Sequence, residues 1–196
     1  MAARFRQFPR SSAWRSSFRI VFPLLILALP VCAQDVKWAK KLAPYVVSPQ
    51  HVVERMLEMA NVHPGELVYD LGCGDGRVLI TAAQQFNARA VGYEISPKLA
   101  HKASERIAQL GLQDRVKVIQ GDLMQADLSA ADVVVIYLLT LSNDMLRPHL
   151  EKQLKPGARV VSYSFEVPGW KPQRVDRTDA HAGHSIYLYE IPPTKK

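Results

Sequence analysis

The stretch Asp70-Leu71-Gly72-Cys73-Gly74-Asp75-Gly76 sets three alternating glycines behind a carboxylate. It follows a short apolar run, Leu67 to Leu71, and opens a helical pattern that begins at Arg77. Glycines in such a turn let the backbone bend tightly and let a ligand approach the chain closely. A dinucleotide fingerprint built on Gly72 and Gly74 needs its third glycine at position 77, which is Arg. A pyrophosphate also disfavours the carboxylate of Asp70, whereas a cationic sulfonium amino acid accepts one. Two more acids follow at matching places. Glu94 ends the run Ala90 to Glu94, and Asp122 comes three residues beyond the run Val116 to Ile119.

An acid at position 94 can accept hydrogen bonds from both hydroxyls of a ribose, as in dinucleotide folds. An acid at position 122 can accept one from an adenine amino group. Three acids at the carboxyl ends of three successive strands lie where open α/β sheets bind ligands. With the glycine pattern they point to S-adenosylmethionine as the cofactor.

The elements that must position these residues alternate between helix and strand. Ser48 is placed to cap a helix starting at Pro49, whose missing N–H costs nothing there. Val52, Val53, Met56, Leu57 and Ala60 then repeat on one face. Strand one is Leu67 to Leu71 and a helix spans about Arg77 to Gln85. Strand two is Ala90 to Glu94, and Ser96-Pro97 starts a helix by the same capping logic. Strand three is Val116 to Ile119. Strand four, Asp132 to Tyr137, is apolar enough to be central. A helix from about Ser142 to Leu154 leads to strand five, Ala158 to Phe165. Two more β-like pieces, Trp170 to Val175 and Ser185 to Ile191, end the chain. The pattern predicts the α/β class: a doubly wound, mostly parallel Rossmann-like sheet with an antiparallel C-terminal strand pair.

The 196 residues suffice for one domain with a substantial core. The formal charge of +7 is unevenly spread, because Arg4, Arg6, Arg10, Arg15 and Arg19 precede the first acid, Asp35. Residues 34–196 carry 20 basic and 18 acidic side chains, 25 less 5 and 18 less 0, so nucleic acid loses its main electrostatic support. Residues 1–33 read as a targeting leader, 34–47 as a linker and cofactor-lid segment, and 48–192 as the catalytic domain. The apolar run Ile20 to Val31 is shorter than a bilayer span, and Val31-Cys32-Ala33 suits a signal peptidase. The leader thus implies export or membrane association after cleavage. A mitochondrial presequence and an uncleaved anchor are its alternatives.

With these residues in place, the chain resembles class I, seven-strand S-adenosylmethionine-dependent methyltransferases over about residues 42–191. Within that class, Pro44-Tyr45-Val46-Val47-Ser48-Pro49, Val68 to Gly76 and Val134 to Phe165 resemble the ATP synthase c-subunit lysine methyltransferases and their prokaryotic relatives. The resemblance implies methyl transfer to a lysine side chain of a protein partner. It also implies that Asp70, Gly72, Gly74, Glu94 and Asp122 bind the cofactor while Tyr45 lies over its amino-acid end. Ser164 stands where eukaryotic members of that family tend to carry a basic residue.

A lysine nucleophile must lose its proton, which calls for a partly desolvated, lightly polar site near the end of strand four. Tyr137, Thr140, Ser142 and Asn143 are expected there, with Tyr137 lining the acceptor side as the catalytic candidate or filling a gap above the sheet. No Asn-Pro-Pro-Tyr element marks base methylation. No metal site is expected: His51, His63, His101 and His149 share no spacing, and His181-Ala182-Gly183-His184 reads as a turn. A small-molecule or lipid acceptor on the same fold, and an exported cofactor-binding module without activity, are the competing functions.

Overall fold

The computed structural model describes residues 42–177 and 183–193. Residues 1–33, read above as a leader, residues 34–41 of the expected linker, and His181 and Ala182 of the expected turn lie outside the described residues.

Strands β1 (Leu67–Leu71), β2 (Arg89–Glu94), β3 (Val116–Gln120), β4 (Val133–Ile136), β5 (Arg159–Tyr163), β6 (Arg174–Asp176) and β7 (Ile186–Glu190) form one sheet. Their order is β3-β2-β1-β4-β5-β7-β6. All pairings from β3 to β5 are parallel, and β7 runs against both of its neighbours. The expected fold class is therefore present, closing pair included. Every residue of β4 is buried, as an apolar Val-Val-Val-Ile strand covered by helices on both faces requires.

Helices α1 (Gln50–Met59), α2 (Arg77–Gln85), α3 (Pro97–Gln109) and α4 (Thr140–Gln153) cover the faces. Val52, Val53, Met56, Leu57, Val78, Leu79, Ala82, Ala83, Val133, Val135 and Val161 pack in one layer of core. Leu71, Leu128, Val134, Ile136, Leu146, Leu150, Val160 and Trp170 pack in the other. Ser96 caps α3 as expected, its hydroxyl accepting from the Leu99 N–H (3.4 Å). Ser48 does not cap α1. The helix starts at Gln50, one residue later than expected, so the N-cap place falls to Pro49, which has no side-chain acceptor. Other boundaries shift as well, most of them by one residue. Helix α4 begins at Thr140 rather than Ser142, β5 stops at Tyr163, and β6 is three residues long and excludes Trp170. Trp170 is instead fully buried, with its indole N–H on the Glu151 Oε1 (2.8 Å).

The order of the strands reverses between β1 and β4, and this leaves a crevice above the sheet where such folds take ligands. The register pairs Leu71 with Ile136, so Gly72 and Tyr137, each one residue further on, stand at its two lips.

Candidate active site

Above that crevice lies a cleft of about 1060 Å³, open solvent at its mouth included. Tyr45, Asp70, Gly72, Gly74, Glu94, Asp122 and Tyr137 all line it. The structure thus brings these seven residues, each singled out for the cofactor or the acceptor side, to one cavity. Thr140, Ser142 and Asn143 do not reach that wall. They lie in the first turn of α4, and the Asn143 amide is turned away to donate to the Phe165 and Glu166 carbonyls (3.2 and 3.1 Å).

The glycine turn is shaped from both sides. Gly72, Gly74 and Gly76 all have positive φ, at 101°, 53° and 78°. Beneath them, a Cβ on Gly92 of β2 would stand 2.5 Å from the Cys73 sulfur and from Leu79 Cδ1. Gly92 therefore lets the turn settle onto the strand. Burial pushes the Cys73 thiol up, which keeps it protonated and unreactive.

Glu94 joins the turn to the start of α3. Its Oε2 accepts from the Gly74 N–H (2.9 Å) and its Oε1 from the Ser96 N–H (2.8 Å). Each carboxylate oxygen has a second lone pair, so both oxygens of this fixed, buried group can still accept from a ligand. Asp122 likewise spends Oδ1 on the Met124 N–H (2.9 Å), capping a short 3-10 turn, Leu123–Gln125.

Three carboxyl groups meet at the turn, and only one of them is neutralised by the protein. Asp75 receives Arg77 through two bonds, Nε to Oδ1 (2.9 Å) and Nη2 to Oδ2 (2.6 Å). Burial opposes its charge, but the Arg77 hydrogen bond and charge hold it below the usual carboxylate range. Asp70 is buried and, among the described residues, its carboxyl makes no hydrogen bond or ion pair. Burial first, then the charges of Glu94 and Asp75, push it up to about 8. A cleft whose deepest carboxyl lacks a counter-charge suits a ligand that brings a positive charge.

A pH dependence follows. An acid raised in the folded state adds stability that is present below its unfolded value near 3.8 and is lost as pH rises through about 8. A cationic ligand favours the ionised form, so its binding below pH 8 releases a proton. Its affinity should climb by up to about tenfold per pH unit towards that value. Calorimetric titrations of S-adenosylmethionine from pH 6 to 9 measure this, with Asp70→Asn subtracting the ligand's own titration. Equal slopes in both proteins would refute it.

Residue 77 also has a use that local spacing does not reveal. The Arg77 Nη1 donates to the Ser48 carbonyl (2.6 Å), while the Ser142 hydroxyl donates to the Leu42 carbonyl. The segment Leu42 to Ser48 is thus tied at both ends as a strap along the cleft, and all seven of its residues line it. The Tyr45 ring rests on Gly74, where a Cβ would stand 2.5 Å from Tyr45 Cε2. Losing Arg77 removes charge-assisted bonds, so Arg77→Met should weaken cofactor binding about tenfold. Hydrogen exchange at Tyr45 to Val47 should accelerate in the same variant. Unchanged exchange there would sink the strap's dependence on Arg77.

The cleft can therefore hold a cationic, nucleoside-sized ligand beneath the strap, with Tyr137 in its wall. Among the described residues, no group of three or more His, Cys, Asp or Glu side chains is placed to hold a metal ion.

Comparison with known proteins agrees with this geometry. Residues 70–174 match the family model described as the ANTKMT methyltransferase domain. The chain is 49% identical over 150 residues to a protein-lysine N-methyltransferase of Saccharolobus islandicus, covering 76% of this chain and 93% of that one. It is 32% identical over 148 residues to the ATP synthase c-subunit lysine N-methyltransferase of Mus musculus, covering 76% of this chain and 58% of the mouse protein. Among solved structures, a chain from Salinibacter ruber described as an RNA methyltransferase in complex with S-adenosyl-L-homocysteine superimposes with a TM-score of 0.72. It is 44% identical, and the match covers 77% of this chain and 96% of that one. The chain belongs to the ANTKMT methyltransferase domain family and is an S-adenosylmethionine-dependent methyltransferase.

Proposed function

We propose that the domain methylates the ε-amino group of a lysine in a protein. The observation that carries this reading is the 49% identity to a protein-lysine N-methyltransferase across 93% of that relative's length. We assign the cofactor's ribose hydroxyls to Glu94, its adenine amino group to Asp122 and its charged amino-acid end to Asp70, beneath Tyr45. Gly72 and Gly74 give the backbone room for it. When bound, the cofactor supplies a methyl group activated by sulfonium. Transfer would form an N–C bond to the lysine as the C–S bond breaks, leaving methyllysine and S-adenosylhomocysteine, with the ammonium's proton passing to solvent. The protein's share is alignment and desolvation. Val135, Leu138 and the Tyr137 ring wall the cleft on that side and disfavour a charged amine, which promotes loss of its proton.

Exposed apolar residues support an acceptor with an apolar surface, such as a membrane protein. Tyr45, Val46 and Val47 are 42–53% exposed on the strap at the cleft. Leu139, Leu141 and Met145 are 44–72% exposed around the start of α4, the helix to which Leu42 is bonded. For placement in the cell we favour export or membrane association through a cleaved leader, with a mitochondrial destination as its alternative. The acid-free, Arg-rich start and the run Ile20 to Val31 support that reading.

One observation favours a second reading, RNA as acceptor: the description of the Salinibacter ruber chain. Against it stand 20 basic and 18 acidic side chains over residues 34–196, too even a balance for a phosphate-tracking surface. Purified protein, methyl-labelled cofactor and a cell extract separated afterwards into protein, RNA and organic phases test both. Label in protein supports the lysine reading. Label confined to RNA overturns it, and label in the organic phase moves the assignment to a lipid or small molecule.

A further inference from the structure

The chain leaves β5 through a conformation that L-residues rarely adopt. Ser164 has φ +70°, and the Phe165 N–H donates across it to the Tyr163 carbonyl (2.9 Å). Those two facts define a γ-turn of the strained hand. Asn61 and Asn87 also have positive φ, but each directly follows a helix C-cap, the αL place that asparagine tolerates, whereas Ser164 sits in a γ-turn. A glycine would make the same turn without strain. What glycine lacks is the hydroxyl, and the Ser164 Oγ shares a hydrogen bond with His184 Nδ1 (2.8 Å).

Strained backbone persists where its surroundings over-determine it, and this turn is held on several sides. The Ser164 N–H donates to the Ser185 carbonyl (2.8 Å). The Phe165 carbonyl accepts from the Ser162 hydroxyl (2.5 Å) and from the Asn143 amide (3.2 Å). From the turn, contacts lead back to the cleft. The His184 ring packs on Tyr163 with centroids 5.3 Å apart, and Tyr163 packs on Tyr137 at 4.6 Å. Tyr137 lines the cleft.

We propose that Ser164 and His184 are positioning residues for the methyl acceptor. The strained turn fixes the His184 ring against Tyr163, and Tyr163 braces the Tyr137 ring as the wall against which the acceptor amine is aligned. The identity of that amine rests on the lysine reading. The bracing of Tyr137 does not.

The test uses the full chain with Ser164→Gly, His184→Ala and Ser164→Asn. Ser164→Gly keeps the turn and removes the hydroxyl, so its melting temperature is expected to match or exceed that of the wild type. Its cofactor Kd should stay within about twofold, while kcat/KM for protein acceptor falls about tenfold, because alignment governs this reaction. His184→Ala should show the same split. Ser164→Asn, which restores a hydrogen-bonding side chain at the turn, should recover part of the loss. Carbon-13 spectra of the tyrosine rings should show faster flipping of Tyr137 in the first two variants. An unchanged Tyr137 ring with wild-type kcat/KM in Ser164→Gly overturns the proposal, as does a loss of cofactor affinity that parallels the loss of activity. If the wild type labels no protein, the lysine reading falls, and the ring spectra and cofactor Kd still decide the bracing.

Discussion

Replacing Glu94 by Ala is expected to weaken S-adenosylmethionine binding at least about 100-fold. Two bonds from ribose hydroxyls to a carboxylate contribute roughly 1.5 kcal/mol or more each, and about 2.7 kcal/mol is a factor of 100. The same substitution leaves the Gly74 and Ser96 N–H groups without their acceptor. Unsatisfied buried donors cost on the order of 1 kcal/mol each, so the cofactor-free protein should melt lower as well. Glu94→Gln separates the two effects. Its amide oxygen can serve one of the backbone donors, so it should keep more stability than Glu94→Ala while losing much of the affinity. Calorimetric Kd and thermal melting on both variants check this. A Glu94→Ala protein that binds the cofactor as the wild type does would remove Glu94 from the site.

Gly74→Ala is expected to cost about 30-fold in cofactor affinity, roughly 2 kcal/mol. Two causes act together. With φ at 53°, a side chain at position 74 carries left-handed strain on the order of 1 kcal/mol. Its Cβ would also meet Tyr45 Cε2 at 2.5 Å and Cδ2 at 3.1 Å. Tyr45 is 42% exposed, so the ring can swing outward, and the protein should fold. What is lost is the roof over the turn. The signature lies in the double variant: once Tyr45→Ala has removed the ring, adding Gly74→Ala should cost only the strain. Strictly additive losses in Kd would show that the two residues act separately.

That the residues assigned to the cofactor share one cleft is legible in the sequence, because their placement is local. Asp70, Gly72, Gly74, Glu94 and Asp122 each sit at or just past the end of a strand run, and a parallel sheet brings successive strand ends to one edge. The strap is not legible in that way. The Arg77–Ser48 and Ser142–Leu42 bonds join residues 29 and 100 positions apart, and nothing in their spacing marks them as partners. Helix α1 starts without the expected cap because its first turn begins one residue later and puts Pro49 in the N-cap place. Gly92 carries no local signal, because what requires a glycine there is Cys73 in the turn after another strand. The β-like pattern runs two residues past the end of β5 through Ser164 and Phe165, while the hydrogen bond that holds the turn there runs to His184. Tyr137 lines the cleft. Asn143 is drawn away by two carbonyls beyond β5 that only the tertiary fold supplies.

The most direct test of methyl transfer to lysine is the chemical identity of the labelled product. Protein labelled by the purified enzyme with methyl-labelled S-adenosylmethionine would be hydrolysed to amino acids and separated, with Glu94→Ala run in parallel. The expected result is label in ε-N-methylated lysine, lost in the Glu94→Ala reaction. Label in another amino acid, or label in lysine that persists undiminished with Glu94→Ala, would contradict it.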